Sequence, residues 1–137
     1  MSFYKINNQL LDKPLNVEIA PRYYGQLYYA IEKGLLELGF NVSSIGFKYW
    51  VVAIIGYRRH KYKYNDTIES IYEDIAKKMG TTRSRVERSM RTARADATKN
   101  IQEYFNYYKQ ITNKTALSLL TSQFYLFSND KHIPHID

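Results

Sequence analysis

The stretch that decides the fold spans residues 67–95 and reads TIESIYEDIAKKMGTTRSRVERSMRTARA. In its first half, apolar side chains recur at Ile68, Ile71, Tyr72, Ile75, Ala76 and Met79. This helical period predicts a helix over residues 67–79. Gly80-Thr81-Thr82 then predicts a turn. A further helix is predicted from about Arg83 to Asn100, and its buried side carries Val86, Met90, Ala93 and Ala97.

The spacing of Ala76, Gly80 and Val86 is typical of a bacterial helix-turn-helix unit. Ala76 lets the two helices approach closely, and Gly80 can adopt the positive φ that a tight turn requires. Val86 would anchor the second helix on the first. Many helical hairpins share this spacing, so the spacing alone does not predict DNA binding. The exposed face of the second helix is more informative.

At about 100° per residue, the face of the second helix that lies opposite the buried stripe is cationic. It carries Ser84, Arg88, Arg91, Ala95 and Lys99, with Arg85 and Thr92 on one edge and Glu87 and Arg94 on the other. In a major groove, arginine can bind guanine O6 and N7, and glutamate can accept from cytosine N4. The alternative is a solvated charged face, in which Glu87 and Arg91 form an i,i+4 pair.

The start of this helix has two candidate caps. Thr82 is a natural N-cap, whereas Ser84 together with Glu87 fits a capping box. In the second case Glu87 caps the helix and contacts no base.

The net charge of +7 is concentrated in two segments. Residues 41–66 carry five basic and one acidic group, and residues 81–100 carry six basic and two acidic groups. Clustered cations predict a polyanionic partner. In the first segment, Arg58, Arg59, Lys61 and Lys63 alternate with tyrosines. That stretch fits phosphate contacts and base stacking as well as it fits a helix end with half-buried tyrosines.

The rest of the chain reads as mostly helical. Helices are predicted from Arg22 to Leu38, from just after Gly46, and from about Lys114 to Phe127. Only residues 15–19 alternate like a short strand. We therefore expect an all-α bundle of five to six helices, possessing a short strand or an irregular segment at its N-terminus. The predicted organisation is an N-terminal extension over 1–30, a helix-turn-helix domain over 31–127 and a tail over 128–137.

Composition excludes several classes of function. The chain has no cysteine and three histidines, and Pro134 separates His132 from His135, so we predict no metal site and no cofactor. No set of residues assembles a nucleophile with a base, so we predict no catalytic residue and no enzyme activity. The chain shows neither a signal peptide nor an apolar run that could span a membrane, which favours a cytoplasmic protein without membrane contact.

One motif resembles a known family. Tyr72-x-Asp74-Ile75-Ala76-Lys77-Lys78, followed by Thr81-Thr82-x-Ser84-Arg85-Val86-Glu87-Arg88-x-x-Arg91, is similar to the C-terminal effector domain of stage 0 sporulation protein A. Glu37-Leu38-Gly39 and Gly46-Phe47-x-Tyr49 upstream resemble the same family, as does Thr112-Asn113 downstream. The resemblance covers about residues 31–123.

The resemblance implies a six-helix DNA-binding domain that controls transcription through short boxes resembling TGTCGAA, often in tandem. It implies base reading by Arg85, Glu87 and Arg88. Phosphate or flanking contacts are expected from Thr82, Arg83, Ser84, Arg91, Thr92, Lys99, Arg58, Arg59, Lys61 and Lys63. This chain departs from the family pattern at Arg83, where a small residue is usual, and at Thr92, which replaces a histidine.

We therefore expect a stand-alone regulator of transcription whose partner is double-stranded DNA, bound as a homodimer or tandem pair. About 30 residues precede the resemblance, too few for a receiver domain. Two alternatives stay open. The chain could pair with or compete against a full-length regulator through its N-terminal segment or the aromatic run at 104–108. It could also serve plasmid or phage replication or partition.

Overall fold

The computed structural model describes residues 20–63 and 65–129, and it describes side chains for residues 27–63 and 65–122. Within these residues the chain forms six helices and no strand. They are α1 (Ala20–Leu38), α2 (Ile45–Arg58), α3 (Ile68–Met79), α4 (Arg83–Ala95), α5 (Thr98–Phe105) and α6 (Asn113–Asn129). The predicted all-α bundle is confirmed, while the strand predicted at 15–19 lies outside the described residues.

Helix α2 is the centre of the bundle and packs against α1, α3, α4 and α6. Its buried apolar residues are Phe47, Tyr49, Trp50, Val51, Ala53 and Ile54. These residues do not form one narrow stripe, because neighbouring helices cover α2 on several sides.

The start of α2 and the middle of α4 approach each other closely. A Cβ added at Gly46 would lie 1.9 Å from the carbonyl oxygen of Ser89. The indole Nε1 of the fully buried Trp50 donates to the carbonyl oxygen of Met90 at 2.8 Å. Gly46 was predicted to precede this helix, but α2 begins at Ile45 because the Ser44 hydroxyl caps it by accepting from the Gly46 N–H at 3.0 Å.

The single helix predicted from Arg83 to Asn100 is wrong, since α4 ends at Ala95 and α5 begins at Thr98. In a continuous helix the Ala97 N–H would bond the Ala93 carbonyl. Here the Asn41 N–H donates to that carbonyl at 3.0 Å, and the Ala97 N–H donates to the Arg94 carbonyl at 2.8 Å. The loop after α1 therefore ends α4.

The aromatic run at 104–108 straddles the end of α5. Tyr104, Phe105 and Tyr107 are partly buried against the core, whereas Tyr108 is 68% exposed. The rings of Tyr104 and Phe105 meet edge to face, with centroids 4.8 Å apart. Most of this run therefore supports the core.

Two kinds of feature are absent from the described residues. None of the described helices is both long and apolar enough to cross a membrane. No group of three or more potential metal ligands comes together among these residues.

Candidate nucleic-acid interface

The turn between α3 and α4 is built on Gly80. This residue has φ 66° and ψ 39°, in the left-handed region that favours glycine, and its N–H bonds the Ala76 carbonyl. The Thr81 N–H donates to the same carbonyl at 3.0 Å. Ala76 is 3% exposed and Val86 is fully buried, so the two helices pack directly across this turn.

Thr82 caps α4, which decides between the two predicted caps. Its backbone is extended, and its hydroxyl oxygen accepts from the Arg85 N–H at 3.2 Å. The helix begins at Arg83, so Ser84 lies inside the first turn. Glu87 therefore does not cap the helix, and its carboxylate is available for other contacts.

Helix α4 separates an apolar side from a cationic side. Val86, Met90 and Ala93 are all fully buried. The exposed residues are Arg83, Ser84, Arg85, Arg88, Arg91, Thr92 and Ala95. Four of these seven side chains are guanidinium groups, so the outer face of α4 carries a concentrated positive charge.

Glu87 forms the pair that the alternative interpretation predicted. Its Oε2 lies 3.1 Å from Arg91 Nε, and Arg91 Nη2 donates to Oε1 at 3.4 Å. Both side chains remain substantially exposed, at 40% and 56%. An exposed pair of this kind adds little stability, but it holds the Arg91 guanidinium along the outer face of the helix.

Arg94 was predicted on the exposed edge of this helix, and this is wrong because the side chain is 7% exposed. Its Nε donates to Asn113 Oδ1 at 2.9 Å, and its Nη1 donates to Thr98 Oγ1 at 2.9 Å. Burial lowers the pKa of the Arg94 guanidinium below its ordinary value. Arg94 therefore belongs to the packing of the domain.

Asn113 is a structural residue that the sequence did not single out for this role. Its Nδ2 donates to Tyr72 Oη and to the Glu87 carbonyl oxygen, both at 3.1 Å. Together with the bond from Arg94, these contacts join the first residue of α6 to α3 and α4. Only its position beside Thr112 in the family-like motif hinted at it, because its partners lie 19 to 41 residues away.

The basic stretch after α2 divides into buried and exposed residues. Arg58 and Tyr62 are 7% and 6% exposed, whereas Arg59, Lys61 and Lys63 are exposed. Of the two alternatives predicted for this stretch, the structure is closer to a helix end whose tyrosines are half buried and whose cations face solvent. The burial of Arg58 departs from both arrangements.

Asp74 fixes this stretch to the first helix of the pair. Its carboxylate accepts from Tyr62 Oη at 2.5 Å and lies 3.2 Å from Lys61 Nζ and 3.5 Å from Lys78 Nζ. Partial burial by itself would raise the pKa of Asp74, but the hydrogen bonds from Tyr62 and Lys61 and the charge of Lys78 bring that pKa below its ordinary value. Since Asp74 and Lys78 both lie in the second half of α3, Lys61 is held against the helix that leads into the turn.

Lys99 was predicted on the outer face of the same helix as Arg88. It is exposed, but it belongs to α5, beyond the break at residues 96–97. Its direction therefore does not follow from the period of α4.

Two packed helices joined by a left-handed glycine, the second with a cationic outer face, define a helix-turn-helix protein. The family model described as "Sporulation initiation factor Spo0A C terminal" matches residues 31–125, and the chain belongs to this family. The resemblance seen in the motif around Ser84 is thereby confirmed. The family is one of DNA-binding, regulatory and non-enzymatic effector domains. Comparisons with curated proteins and with solved structures gave no match.

Proposed function

We propose that this chain is a sequence-specific regulator of transcription that places α4 in the major groove of duplex DNA. The observation that carries the proposal is the pair of opposite faces on α4. One face packs Val86, Met90 and Ala93 into the core, and the other exposes four arginines. A helix held rigidly by its apolar side can present its other side to base edges in one orientation.

Arg85, Glu87 and Arg88 are the proposed base readers. The guanidinium groups of Arg85 and Arg88 are exposed near the start of α4, where recognition helices contact bases. Glu87 pairs with Arg91, but each carboxylate oxygen has a second acceptor site. Glu87 can therefore accept from cytosine N4 while it still holds Arg91.

The proposed phosphate contacts surround these base readers. On α4 and its cap they are Thr82, Arg83, Ser84, Arg91 and Thr92, and outside it they are Arg59, Lys61, Lys63 and Lys99. All nine are exposed. Arg58 is not among the proposed phosphate contacts, because its side chain is 7% exposed and offers almost no surface to a phosphate.

The proposed regulator would bind tandem boxes as a pair, as the family resemblance implies. One box should then hold one chain and two adjacent boxes should hold two. Gel-shift stoichiometry on duplexes with one or two boxes measures this directly. A cytoplasmic location stays a prediction that accompanies this function.

Selection from a pool of random duplexes tests sequence specificity without assuming a target. The full chain should enrich one short motif, which we expect to resemble TGTCGAA. Arg88→Ala should lose the preference at particular positions of that motif, whereas Lys77→Ala, an exposed change on α3, should enrich the wild-type motif. Recovery of duplexes without a shared motif would contradict base reading by α4.

A further inference from the structure

An open apolar groove lies on the side of α1 near the start of α2. Among the described residues, five large apolar side chains are more than half exposed, and four of them are Tyr29, Leu36, Val42 and Ile45. Tyr29, Leu36 and Val42 line the groove together with Phe47, and its volume is about 410 Å³. Single exposed apolar residues are ordinary, but a cluster of them marks a surface that something covers.

The chemistry of the groove favours an apolar occupant of low charge. Its polar lining residues are Glu32 and Lys33, one of each sign, so no net charge attracts a polyanion such as DNA. The Lys33 ammonium lies 5.8 Å from the centroid of the Tyr29 ring, within the range of a cation–π contact. What remains for a ligand is apolar surface, whose removal from water favours binding.

Residues 1–19 of the chain have the composition that fits this groove. They precede Ala20, where α1 begins. They include nine large apolar side chains, namely Met1, Phe3, Tyr4, Ile6, Leu10, Leu11, Leu15, Val17 and Ile19. They carry two acidic and two basic groups, so their net charge is zero. This content of apolar residues is far above that of a solvated tail.

The length of this segment is sufficient to reach the groove. At about 1.5 Å per residue, Tyr29 lies roughly 14 Å and Leu36 roughly 24 Å along α1 from Ala20. Nineteen residues of extended chain span up to about 60 Å. A covalent tether also gives the segment an effective concentration on the order of millimolar at a nearby surface. A separate partner at lower concentration would compete at a disadvantage.

We propose that residues 1–19 fold back along α1 and dock into the groove formed by Tyr29, Leu36, Val42 and Phe47 of the same chain. The proposal goes beyond DNA binding and does not depend on it.

The absence of cysteine from the sequence allows a direct test. Ser43→Cys introduces one thiol at an exposed residue next to Val42 but outside the groove lining, and that thiol can carry a nitroxide. The full ¹⁵N-labelled chain is diluted with unlabelled, unmodified chain so that only contacts within one molecule count. We expect loss of backbone amide signals from residues 1–19, with recovery when the nitroxide is reduced. The same label at Ser118→Cys, an exposed residue of α6 that lines a separate cleft, should leave those signals intact.

A second variant ties the signal loss to the groove. Leu36→Glu places a charge in the groove at a residue that is 54% exposed, so the core should keep its spectrum. When Leu36→Glu is combined with the nitroxide label in the same chain, the amide signals of residues 1–19 should return. Persistence of the signal loss in this variant would overturn the proposal.

Two further outcomes would also overturn it. One is full intensity of the backbone amide signals of residues 1–19 in the chain that carries the nitroxide and keeps Leu36. The other is signal loss that occurs only when ¹⁵N-labelled chain is mixed with unlabelled chain carrying the nitroxide. That result would assign the groove to a second copy of the chain.

Discussion

The side chain of Arg94 donates from Nε to Asn113 Oδ1 at 2.9 Å, in the buried contact between α4 and α6. The Asn113 Nδ2 in turn donates to Tyr72 on α3 and to the Glu87 carbonyl on α4. One amide therefore bonds both helices of the helix-turn-helix unit to the last helix of the domain. Asn113, 19 residues downstream of Arg94, therefore helps to fix the orientation of α4, on which the proposed base reading depends.

Asn113→Ala should destabilise the fold, because it leaves the buried guanidinium of Arg94 and the buried hydroxyl of Tyr72 without this partner. The loss of a buried hydrogen-bonding side chain predicts a decrease of roughly 1–3 kcal/mol in the free energy of unfolding. Urea denaturation measures it. Ser118→Ala, an exposed change on the same helix, serves as the control and should stay near wild type. Equal midpoints for the two variants would show that the Asn113 bonds do not stabilise the domain.

Gly46→Ala should be more damaging than Gly80→Ala, although only Gly80 has a positive φ. The added Cβ at Gly46 would meet the Ser89 carbonyl oxygen at 1.9 Å, so α2 and α4 would have to separate. A Cβ at Gly80 meets nothing within 4 Å, so the cost is the left-handed backbone alone, about 1–2 kcal/mol. Thermal and urea denaturation rank the two variants, and the reverse order would contradict the close contact at Gly46.

The Asp74 cluster predicts a specific dependence of stability on pH. Because the folded state lowers the pKa of Asp74 below its ordinary value of 3.8, the unfolded chain binds the proton more tightly. The stabilisation is therefore present above pH 3.8 and is lost as the pH falls through the folded pKa. Asp74→Asn should lower stability near neutral pH and converge with wild type in acid. The measurement is urea denaturation across the acid range, and a constant difference at every pH would exclude this role for the carboxylate.

Arg88→Ala should weaken specific binding by about 1–3 kcal/mol, or roughly 5- to 150-fold, and relax the preference at one base pair. Arg88 is exposed on α4, so the fold should not change. Fluorescence anisotropy on duplexes that differ at single positions measures both effects. The assignment of Arg88 to a base edge fails if the variant keeps every base preference of the wild type.

Lys63→Ala should weaken binding to all duplexes alike. Lys63 is exposed in the stretch that the Tyr62–Asp74 hydrogen bond ties to α3, which suits a phosphate contact. Loss of one such contact should lower the slope of log K against log salt by about 1. Titrations at several salt concentrations give the slope, with Lys77→Ala as a matched control on α3. An unchanged slope would remove Lys63 from the interface.

Much of the fold could be predicted from local pattern. The period of apolar residues located α1, α3 and the inward side of α4, because a helix repeats every 3.6 residues whatever it packs against. Gly80 and Thr82 could be recognised as turn and cap residues, since those roles depend on neighbours within four positions. The cationic face of α4 followed from the same geometry.

The remaining features depend on contacts between residues far apart in sequence. The α4–α5 break arises because the Asn41 N–H takes the Ala93 carbonyl, 52 residues later in the chain. The burial of Arg94 depends on Asn113 in α6. Lys61, in the loop after α2, pairs with Asp74 on α3. No local period encodes such pairings, so these three features could not be predicted from the sequence.

The most direct test of the account is a fluorescence-anisotropy titration of the full chain against two duplexes. One carries a TGTCGAA-like box and the other a scrambled sequence of the same composition, each at low and near-physiological salt. Base reading by α4 predicts a preference for the box that survives the added salt. Equal affinity for both duplexes that collapses with salt would mean phosphate attraction alone, and it would contradict the central claim.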